Sequence, residues 1–172
     1  MPYPLVRHRR LRRTDALRRL VRETVLTPSD FICPIFVTHG ENIKSEIPAM
    51  PGVYHWSVDR LEEEIREIRE LGIPAVLLFG VPEHKDAEGT SAFEPDGIVQ
   101  RAIRQVKAIA PDLTVIADTC LCQYTDHGHC GIVRQVGGQA VIDNDESLKV
   151  LARTAVSQAE AGADVIAPSN MM

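Results

Sequence analysis

The sequence predicts an α/β fold built on a parallel sheet, and two observations carry this prediction. Short apolar runs, typical of strands buried on both faces, recur at residues 31–37, 75–80, 113–117 and 164–168. Amphipathic helical patterns separate them, at residues 58–71, 96–108 and 146–161. Strict alternation of strands and helices indicates right-handed βαβ units, whose strands lie parallel in one sheet.

Residues 1–26 precede the first strand pattern and are predicted to form an N-terminal arm. Residues 1–13 are rich in proline and arginine and have no clean period, which favours an extended segment. Residues 15–23 have the pattern of a short amphipathic helix, with Thr14 as its predicted N-cap. We interpret the five arginines within residues 7–13 as a solvated or partner-binding surface and not as a phosphate or membrane patch.

Residues 27–172 are predicted to form one domain around the four strands. Pro34 interrupts the first strand and predicts a position that needs no ladder hydrogen bond. Ser57 is the predicted N-cap of the first long helix, and Gly72 is predicted to end it. Side chains at helical spacing are predicted to face the sheet: Leu61, Ile65, Ile68, Leu71, Ile98, Val99, Ala102, Ile103 and Val106.

Polar residues follow three of the predicted strand ends: loop 81–95 after the second, Asp118 after the third and Ser169 after the fourth. Ligands bind at the carboxyl ends of the strands in parallel α/β folds. Because four strands cannot close an eight-stranded barrel, the pattern alone indicates either a small open sheet or about half of a larger one. No glycine-rich phosphate fingerprint follows a strand, which argues against dinucleotide binding.

Composition and charge argue against several classes of protein. The formal net charge of −5 does not suit a general nucleic-acid binder. No apolar run reaches the roughly 18 residues that cross a bilayer, so no membrane span is expected. No apolar region follows the N-terminal arginines, which argues against a secretory signal, although the shortage of acids there leaves an organelle transit peptide open. The four cysteines, three of them in one loop, favour a reducing, cytoplasmic compartment.

The densest group of candidate ligands is the segment T-V-I-A-D-T-C-L-C-Q-Y-T-D-H-G-H-C-G, residues 114–131. It holds three cysteines within eleven residues: Cys120, Cys122 and Cys130. Three thiolates with an open fourth position are typical of a catalytic zinc site, and soft thiolates favour zinc over magnesium or calcium. His127 and His129 are rival ligands, and a site closed by His129 would be structural.

The alternative interpretation of these cysteines is that they are small buried apolar residues. That fits poorly in a loop with two glycines and several polar residues. It fits Cys33 well, because Cys33 lies in an apolar strand, so we predict a core position for it. Asp118 and Ser169 also have a purely structural alternative, as ordinary turn residues at strand ends.

These residues also resemble a known family. The segment D-T-C-L-C-Q-Y-T-D-H-G-H-C-G resembles the metal-binding segment of the zinc-dependent porphobilinogen synthases, also called δ-aminolevulinic acid dehydratases. The resemblance extends over the whole chain, in the family's order and spacing, through R-H-R-R-L-R-R, F-I-C-P-I-F-V, I-P-A-M-P-G-V, L-G-I-P-A-V-L-L-F-G and A-G-A-D-V-I-A-P-S-N-M-M.

This resemblance implies a fold and an assembly. The fold is a TIM (β/α)8 barrel, of which residues 27–172 would be the first half, truncated after the fourth strand. Residues 1–26 would be the arm that wraps a neighbouring subunit in a homo-oligomer, usually an octamer.

The resemblance also implies a reaction and its site. Two 5-aminolevulinate molecules would condense to porphobilinogen, with loss of two waters, early in tetrapyrrole (haem) synthesis. Catalytic Zn²⁺ would be bound by Cys120, Cys122 and Cys130. Asp118 would lie near the amino group of the substrate and Ser169 in the same pocket, whereas His127 and His129 would be loop residues. The sequence leaves open whether Mg²⁺ binds elsewhere in a full-length protein.

One departure concerns the family's two Schiff-base lysines. They follow the P-S-x-M-M segment, so the resemblance places them beyond Met172, where this chain ends. Such a lysine must be sheltered and deprotonated to attack a ketone. The lysines present are predicted in polar loops or on helices: Lys44, Lys85, Lys107 and Lys149.

We therefore expect no catalytic lysine among these residues, and we expect this N-terminal portion to be inactive alone. One alternative is a non-catalytic zinc-binding or assembly module. Another is a small independent metallohydrolase, which is less favoured because no nucleophile motif is present.

Overall fold

The computed structural model of the chain describes residue 3 and residues 8–170. Of the extended segment predicted at residues 1–13, residues 1, 2 and 4–7 lie outside the described residues, and so do Met171 and Met172. The helices are α1 (Asp15–Leu20), α2 (Leu61–Glu70), α3 (Ile98–Ile109) and α4 (Asn144–Glu160). The strands are β1 (Ile32–Thr38), β2 (Lys44–Glu46), β3 (Tyr54–Ser57), β4 (Ala75–Val81), β5 (Thr114–Thr119), β6 (Ile132–Val136), β7 (Gln139–Asp143) and β8 (Val165–Pro168).

The main sheet has six strands in the order β2-β3-β1-β4-β5-β8, and all its pairs are parallel except β2 with β3. The four predicted strands are β1, β4, β5 and β8, which lie side by side in chain order. The helices between them pack on one another, α2 on α3 and α3 on α4. Right-handed crossovers that all step in the same direction place their helices on one face of the sheet. The predicted α/β architecture with a parallel sheet is therefore confirmed.

The core lies between this helical layer and the sheet. It is formed by alternate strand residues and by the inward side of the helices, and the predicted inward residues of α3 are all buried. Leu61, Ile65 and Ile68 of α2 are buried as predicted, whereas Leu71 is 58% exposed because it follows the last turn of that helix. Cys33 packs against this core and is half-buried, as expected of a core cysteine.

The domain predicted to end at residue 172 is described only as far as Asn170. Its fourth strand, β8, ends at Pro168, and the described chain continues through Ser169 and Asn170. The expectation that the Schiff-base lysines lie beyond Met172 stays a prediction from the resemblance.

The opposite face of the sheet is also apolar but less covered. Phe36, Leu77, Phe79 and Ile116 alternate with the core residues and are half-buried. Phe36 stacks on Phe79 with ring centroids 5.2 Å apart. Because successive residues of a strand face opposite sides, Asp118 shares this face and lies at its carboxyl-terminal end.

Hydrogen bonds and strand pairing test several local predictions. The backbone nitrogen of Leu17 donates to Oγ1 of Thr14 at 3.2 Å, which confirms the predicted N-cap. The predicted Ser57 cap is wrong: Ser57 ends β3 and accepts from the backbone nitrogen of Ile43 at 2.8 Å. Pro34 lies in the part of β1 that pairs only with β4, because pairing with β3 begins at Phe36.

The strands β2, β3, β6 and β7 were not predicted from the sequence. β2 and β3 have three and four residues, too few to show a period. Lys44, which was predicted in a polar loop, is the first residue of β2. β6 and β7 form a hairpin whose turn, Gly137-Gly138, has positive φ angles of 59° and 84°. Two positive φ values match the type I′ turn that favours tight hairpins, so the glycine pair was a usable signal.

The arm is largely exposed in the described residues. α1 buries no side chain there, and Leu20, Val25 and Leu26 are exposed apolar residues. None of the helices in residues 8–170 is both long and apolar enough to cross a membrane.

Candidate metal centre and active site

Three thiols meet at the carboxyl-terminal end of β5. The sulfur atoms of Cys120, Cys122 and Cys130 all lie within 4.8 Å of one another, and those of Cys120 and Cys122 are 3.3 Å apart. Within residue 3 and residues 8–170 this is the only such group of three or more cysteine, histidine or acidic side chains. Tetrahedral zinc with Zn–S bonds of about 2.3 Å requires sulfur separations of about 3.8 Å. The cluster therefore has the donor type and the size of a three-thiolate metal site.

The loop after β5 folds back tightly, which brings Cys130 to the other two thiols. The backbone nitrogens of Tyr124 and Thr125 both donate to the carbonyl oxygen of Leu121 at 2.9 Å. The hydroxyl of Thr125 donates to the carbonyl oxygen of His129 at 2.8 Å. Leu121 and Tyr124 are fully buried in a small core against α4, so the cysteine loop carries its own apolar anchor.

The electrostatics of the cluster disfavour three free thiolates. Burial, with the adjacent Cys120 thiol, raises the pKa of Cys122 to about 12. Burial and Cys120 also raise the pKa of Cys130 above its ordinary value. A bound cation reverses this tendency, because metal-coordinated thiols are deprotonated. A metal that bound to these thiols would therefore displace protons from them.

The two histidines lie outside the cluster. Nδ1 of His127 accepts from the backbone nitrogen of His129 at 3.1 Å, and its Nε2 lies 3.4 Å from the carbonyl oxygen of Ala87. His129 is exposed, and its ring centroid is 5.4 Å from that of His127. Of the ligand sets that the sequence left open, the structure brings the three thiols together and leaves both imidazoles in the surrounding loop.

Asp118 and Ser169 are in direct contact. The hydroxyl of Ser169 donates to Oδ1 of Asp118 at 2.7 Å, and Nε2 of Gln123 donates to Oδ2 at 3.0 Å. The pairing of β5 with β8 produces this contact, since Asp118 is the register partner of Ala167. Asp118 is 4% exposed and forms no ion pair with any described residue. A buried carboxylate without a cation is costly, so this position suits a cationic ligand group.

Several residues around the site were not identified from the sequence. Nδ2 of Asn170 lies 3.0 Å from the carbonyl oxygen of Cys130 and 3.7 Å from Sγ of Cys120. Gln158 of α4 donates to the carbonyl oxygen of Asp118 at 2.9 Å and accepts from the hydroxyl of Thr119 at 2.7 Å. A polar residue on the inward side of a helix was the available signal for Gln158. No local pattern marked Gln123.

The loop after β4 is joined to the cysteine loop. The backbone nitrogen of Asp86 donates to the carbonyl oxygen of Tyr124 at 3.3 Å, and that of Asp126 donates to the carbonyl oxygen of Asp86 at 3.1 Å. Burial alone would raise the pKa of Asp86, but hydrogen bonds from Thr90 and Glu88 outweigh burial and lower the pKa. The predicted polar loop 81–95 is therefore an ordered support of the site.

The lysines and a surface cavity beside α4 both lie apart from the cluster. Lys44 and Lys149 are exposed and pair with Glu63 and Glu146, and Lys85 is exposed in its loop. Lys107 is half-buried and pairs with Asp164. A cavity of about 570 Å³ lies between residues 93–95 and the outer side of α4, and it shares no lining residue with the cluster.

The chain is similar throughout to one family. Residues 5–172 match the family model described as Delta-aminolevulinic acid dehydratase. The protein named delta-aminolevulinic acid dehydratase in Halalkalibacterium halodurans is 63% identical over 166 residues, which cover 96% of this chain and 49% of that protein. The protein of that name in Bacillus subtilis is 58% identical, with 96% of this chain and 50% of that protein covered.

A solved structure is similar as well. The delta-aminolevulinic acid dehydratase (porphobilinogen synthase) of Toxoplasma gondii ME49, in complex with the reaction product porphobilinogen, superposes with a TM-score of 0.88 at 38% identity. The match covers 97% of this chain and 47% of that one. The chain thus spans about half the length of the curated relatives it matches. By sequence and by fold, the chain belongs to the delta-aminolevulinic acid dehydratase family.

Proposed function

We propose that this chain supplies the zinc-binding part of the active site of a porphobilinogen synthase, which condenses two 5-aminolevulinate molecules to porphobilinogen with loss of two waters. The observation that carries this proposal is the arrangement of three thiols beside a buried carboxylate at the carboxyl ends of β5 and β8. Family membership, and a relative solved with porphobilinogen, support the choice of substrate class.

In this proposal, Cys120, Cys122 and Cys130 hold Zn²⁺. With three protein ligands and an open position, bound zinc supplies Lewis-acid polarisation of a carbonyl group. The chain's own residues prepare the neighbouring pocket. Asp118 is buried without a cationic partner among the described residues, and its oxygens are held by Ser169 and Gln123. It is therefore suited to orient the ammonium group of an aminolevulinate beside the metal.

The fold supports the further proposal that the described sheet is the first half of a (β/α)8 barrel. Strands β1, β4, β5 and β8 follow one another in chain order with their helices on one face, as barrel strands do. β8 is an edge strand in the described residues, and Val165 on it is 44% exposed. The half-buried face of Phe36, Leu77, Phe79 and Ile116 corresponds to a barrel interior that the opposite strands would cover.

The arm supports a proposal about assembly. Leu20 is 80% exposed and Leu26 is 70% exposed, and a neighbouring subunit would bury both side chains. We assign residues 1–26 to contact with another subunit of a homo-oligomer, for which the family suggests an octamer, and we place the enzyme in the cytoplasm.

The 172-residue chain alone is expected to be inactive, because none of its described lysines is sheltered at a strand end for a Schiff base. The two lysines that the reaction requires are proposed to follow Met172 in a longer protein. The test is to purify the 172-residue chain, measure its zinc content and assay porphobilinogen formation from 5-aminolevulinate.

We expect stoichiometric zinc, its loss in Cys120→Ala and its retention in the matched control Cys33→Ala. Zinc retained in Cys120→Ala would contradict the three-thiolate site. Turnover by the 172-residue chain would contradict the lysine argument.

A second candidate is a non-catalytic zinc-binding or assembly module. One observation favours it: the thiol cluster is complete within the chain, whereas no described lysine is placed for catalysis. This candidate predicts a soluble, monodisperse zinc-bound chain. A half-barrel exposing β8 and an apolar sheet face should instead be prone to aggregation and self-associate in solution. Size-exclusion chromatography with light scattering separates the two.

A further inference from the structure

Asn170 is the second residue after β8, and its side chain reaches across to the cysteine loop. Its Nδ2 atom lies 3.0 Å from the carbonyl oxygen of Cys130 and 3.7 Å from Sγ of Cys120. A backbone carbonyl can only accept hydrogen bonds, so the amide group facing it must be the NH₂. The orientation of the Asn170 amide is therefore determined by the backbone, and the same nitrogen faces the sulfur.

We propose that Asn170 is a positioning residue of the metal centre. One N–H of its amide donates to the Cys130 carbonyl and the other to the Cys120 sulfur. Asn170 thereby holds together two ligands that come from opposite ends of the loop. The inference rests on the proposed function, because it takes the three cysteines to be metal ligands.

The physical reason is the charge on a metal-bound sulfur. A coordinated thiolate keeps much of its negative charge, and an N–H donor stabilises that charge and orients the lone pairs of the sulfur. Outer partners of this kind have a measurable effect, since their loss costs about 10–100-fold in metal affinity. Among the described side chains, Asn170 is the one whose N–H group donates to a sulfur of this cluster.

The amide oxygen of Asn170 is also consistent with this role. Oδ1 of Asn170 is buried and has no hydrogen-bond partner among the described residues. A buried acceptor without a donor is unfavourable, so Oδ1 is suited to accept a hydrogen bond from a bound group. A donor that arrives with the metal, such as a water molecule, would complete it.

The position of Asn170 in the chain also joins the two parts of the site. Its neighbour Ser169 donates to Asp118, while Asn170 donates to the cysteine loop. Two consecutive residues after β8 therefore hold the carboxylate and the thiols in a common frame. A shift of β8 relative to β5 would move both contacts together.

The test uses the 172-residue chain and Co²⁺ as a spectroscopic probe under anaerobic conditions. Asn170→Leu preserves the approximate size and the neutrality of the side chain but removes the donor, and Asn170→Ala removes the side chain beyond Cβ. The control is Asn144→Leu, the same chemical change at an exposed residue of α4. Affinity is measured by competition with a chelator, and the sulfur-to-cobalt charge-transfer band reports the electronic state of the sulfurs.

We expect both Asn170 variants to bind cobalt about 10–100-fold more weakly than the parent chain, with a shifted charge-transfer band. Asn144→Leu should match the parent in both respects. A band and affinity unchanged in Asn170→Leu would overturn the proposal. So would weaker binding with an unshifted band and a lowered apo melting temperature, since that combination indicates a merely structural role. If the parent chain bound no cobalt, the proposed metal centre itself would fail, which is a distinct result.

Discussion

The hydroxyl of Ser169 donates a 2.7 Å hydrogen bond to Oδ1 of Asp118, although the two residues are 51 positions apart in the chain. The contact links the ends of β5 and β8, and it fixes one oxygen of a carboxylate that is almost completely buried. The other oxygen is held by Gln123, which lies between Cys122 and Tyr124 in the cysteine loop. The orientation of Asp118 is therefore set jointly by a neighbouring strand and by the loop that carries the thiols.

Replacing Ser169 should reveal the strength of this contact. In Ser169→Ala the buried carboxylate loses a donor, and hydrogen bonds to charged groups contribute about 1.5–3 kcal/mol. We expect the free energy of unfolding to fall by that amount in urea titrations. Ser91→Ala is the control, because the Ser91 hydroxyl contacts a neutral carbonyl at 3.3 Å near the surface. Equal, small effects of the two substitutions would show that the Asp118–Ser169 contact contributes little.

Zinc affinity should rise with pH. The ordinary thiol pKa is 9.0, and burial with Cys120 raises that of Cys122 to about 12, while the pKa of Cys130 is also raised. These two thiols are thus protonated at neutral pH without metal, and binding must release their protons. Each proton released makes the apparent affinity up to about tenfold stronger per pH unit.

Chelator competition between about pH 6.5 and 8.5 measures this slope, and a weakly buffered titration with a pH indicator counts the released protons. A pH-independent affinity with no proton release would mean that the thiols are already ionised in the metal-free chain.

Gly80 should not tolerate a side chain. A Cβ atom there would lie 2.4 Å from the hydroxyl oxygen of Tyr124 and 2.7 Å from Cγ2 of Val99. Overpacking of this kind costs about 1–3 kcal/mol, so Gly80→Ala should lower the melting temperature and disturb the anchor of the cysteine loop. The double variant Gly80→Ala/Tyr124→Phe removes one of the two clashes and should recover part of the loss relative to Tyr124→Phe alone. Strict additivity of the two substitutions would contradict the predicted clash.

The ion pair between Lys107 and Asp164 should contribute stability in a defined pH range. Oδ2 of Asp164 accepts from Nζ of Lys107 and from the backbone nitrogen of Val115, each at 2.7 Å. These two hydrogen bonds, the one from Lys107 first, lower the pKa of Asp164. A lowered folded-state pKa stabilises the fold above the unfolded-state value near 3.8, and the stabilisation is lost as the pH falls through the folded-state pKa.

Asp164→Asn should therefore be less stable than the parent chain at about pH 6, and the difference should shrink towards about pH 3. The effect should be modest, because both side chains are partly exposed and solvent screens the pair. Urea unfolding at several pH values measures this difference in stability. Asp96→Asn is the control, because Asp96 pairs with Arg104 but is 92% exposed. A difference that stays constant over this range would exclude the ion pair as its cause.

Much of the architecture is encoded locally. The apolar runs placed β1, β4, β5 and β8 to within one or two residues, because strands buried between layers must be continuously apolar. The helical stripes placed α2, α3 and α4, because each of these helices buries residues at helical spacing on one side. The polar, three-residue β2 and the exposed hairpin of β6 and β7 escaped prediction, since neither buries enough surface to impose a period. Ser57 was mistaken for a helix cap because its actual partner, Ile43, is distant in the chain.

The sequence by itself determined the alternation of strands and helices, the spacing of Cys120, Cys122 and Cys130, and the family to which the chain belongs. Only the tertiary structure decided which side chains meet: Ser169 with Asp118, Asn170 with Cys120, and Gln158 with Thr119. The reason is physical. Periodicity and thiol spacing arise from neighbours along one segment, whereas these contacts depend on the register of β8 against β5 and on the packing of α4 over both.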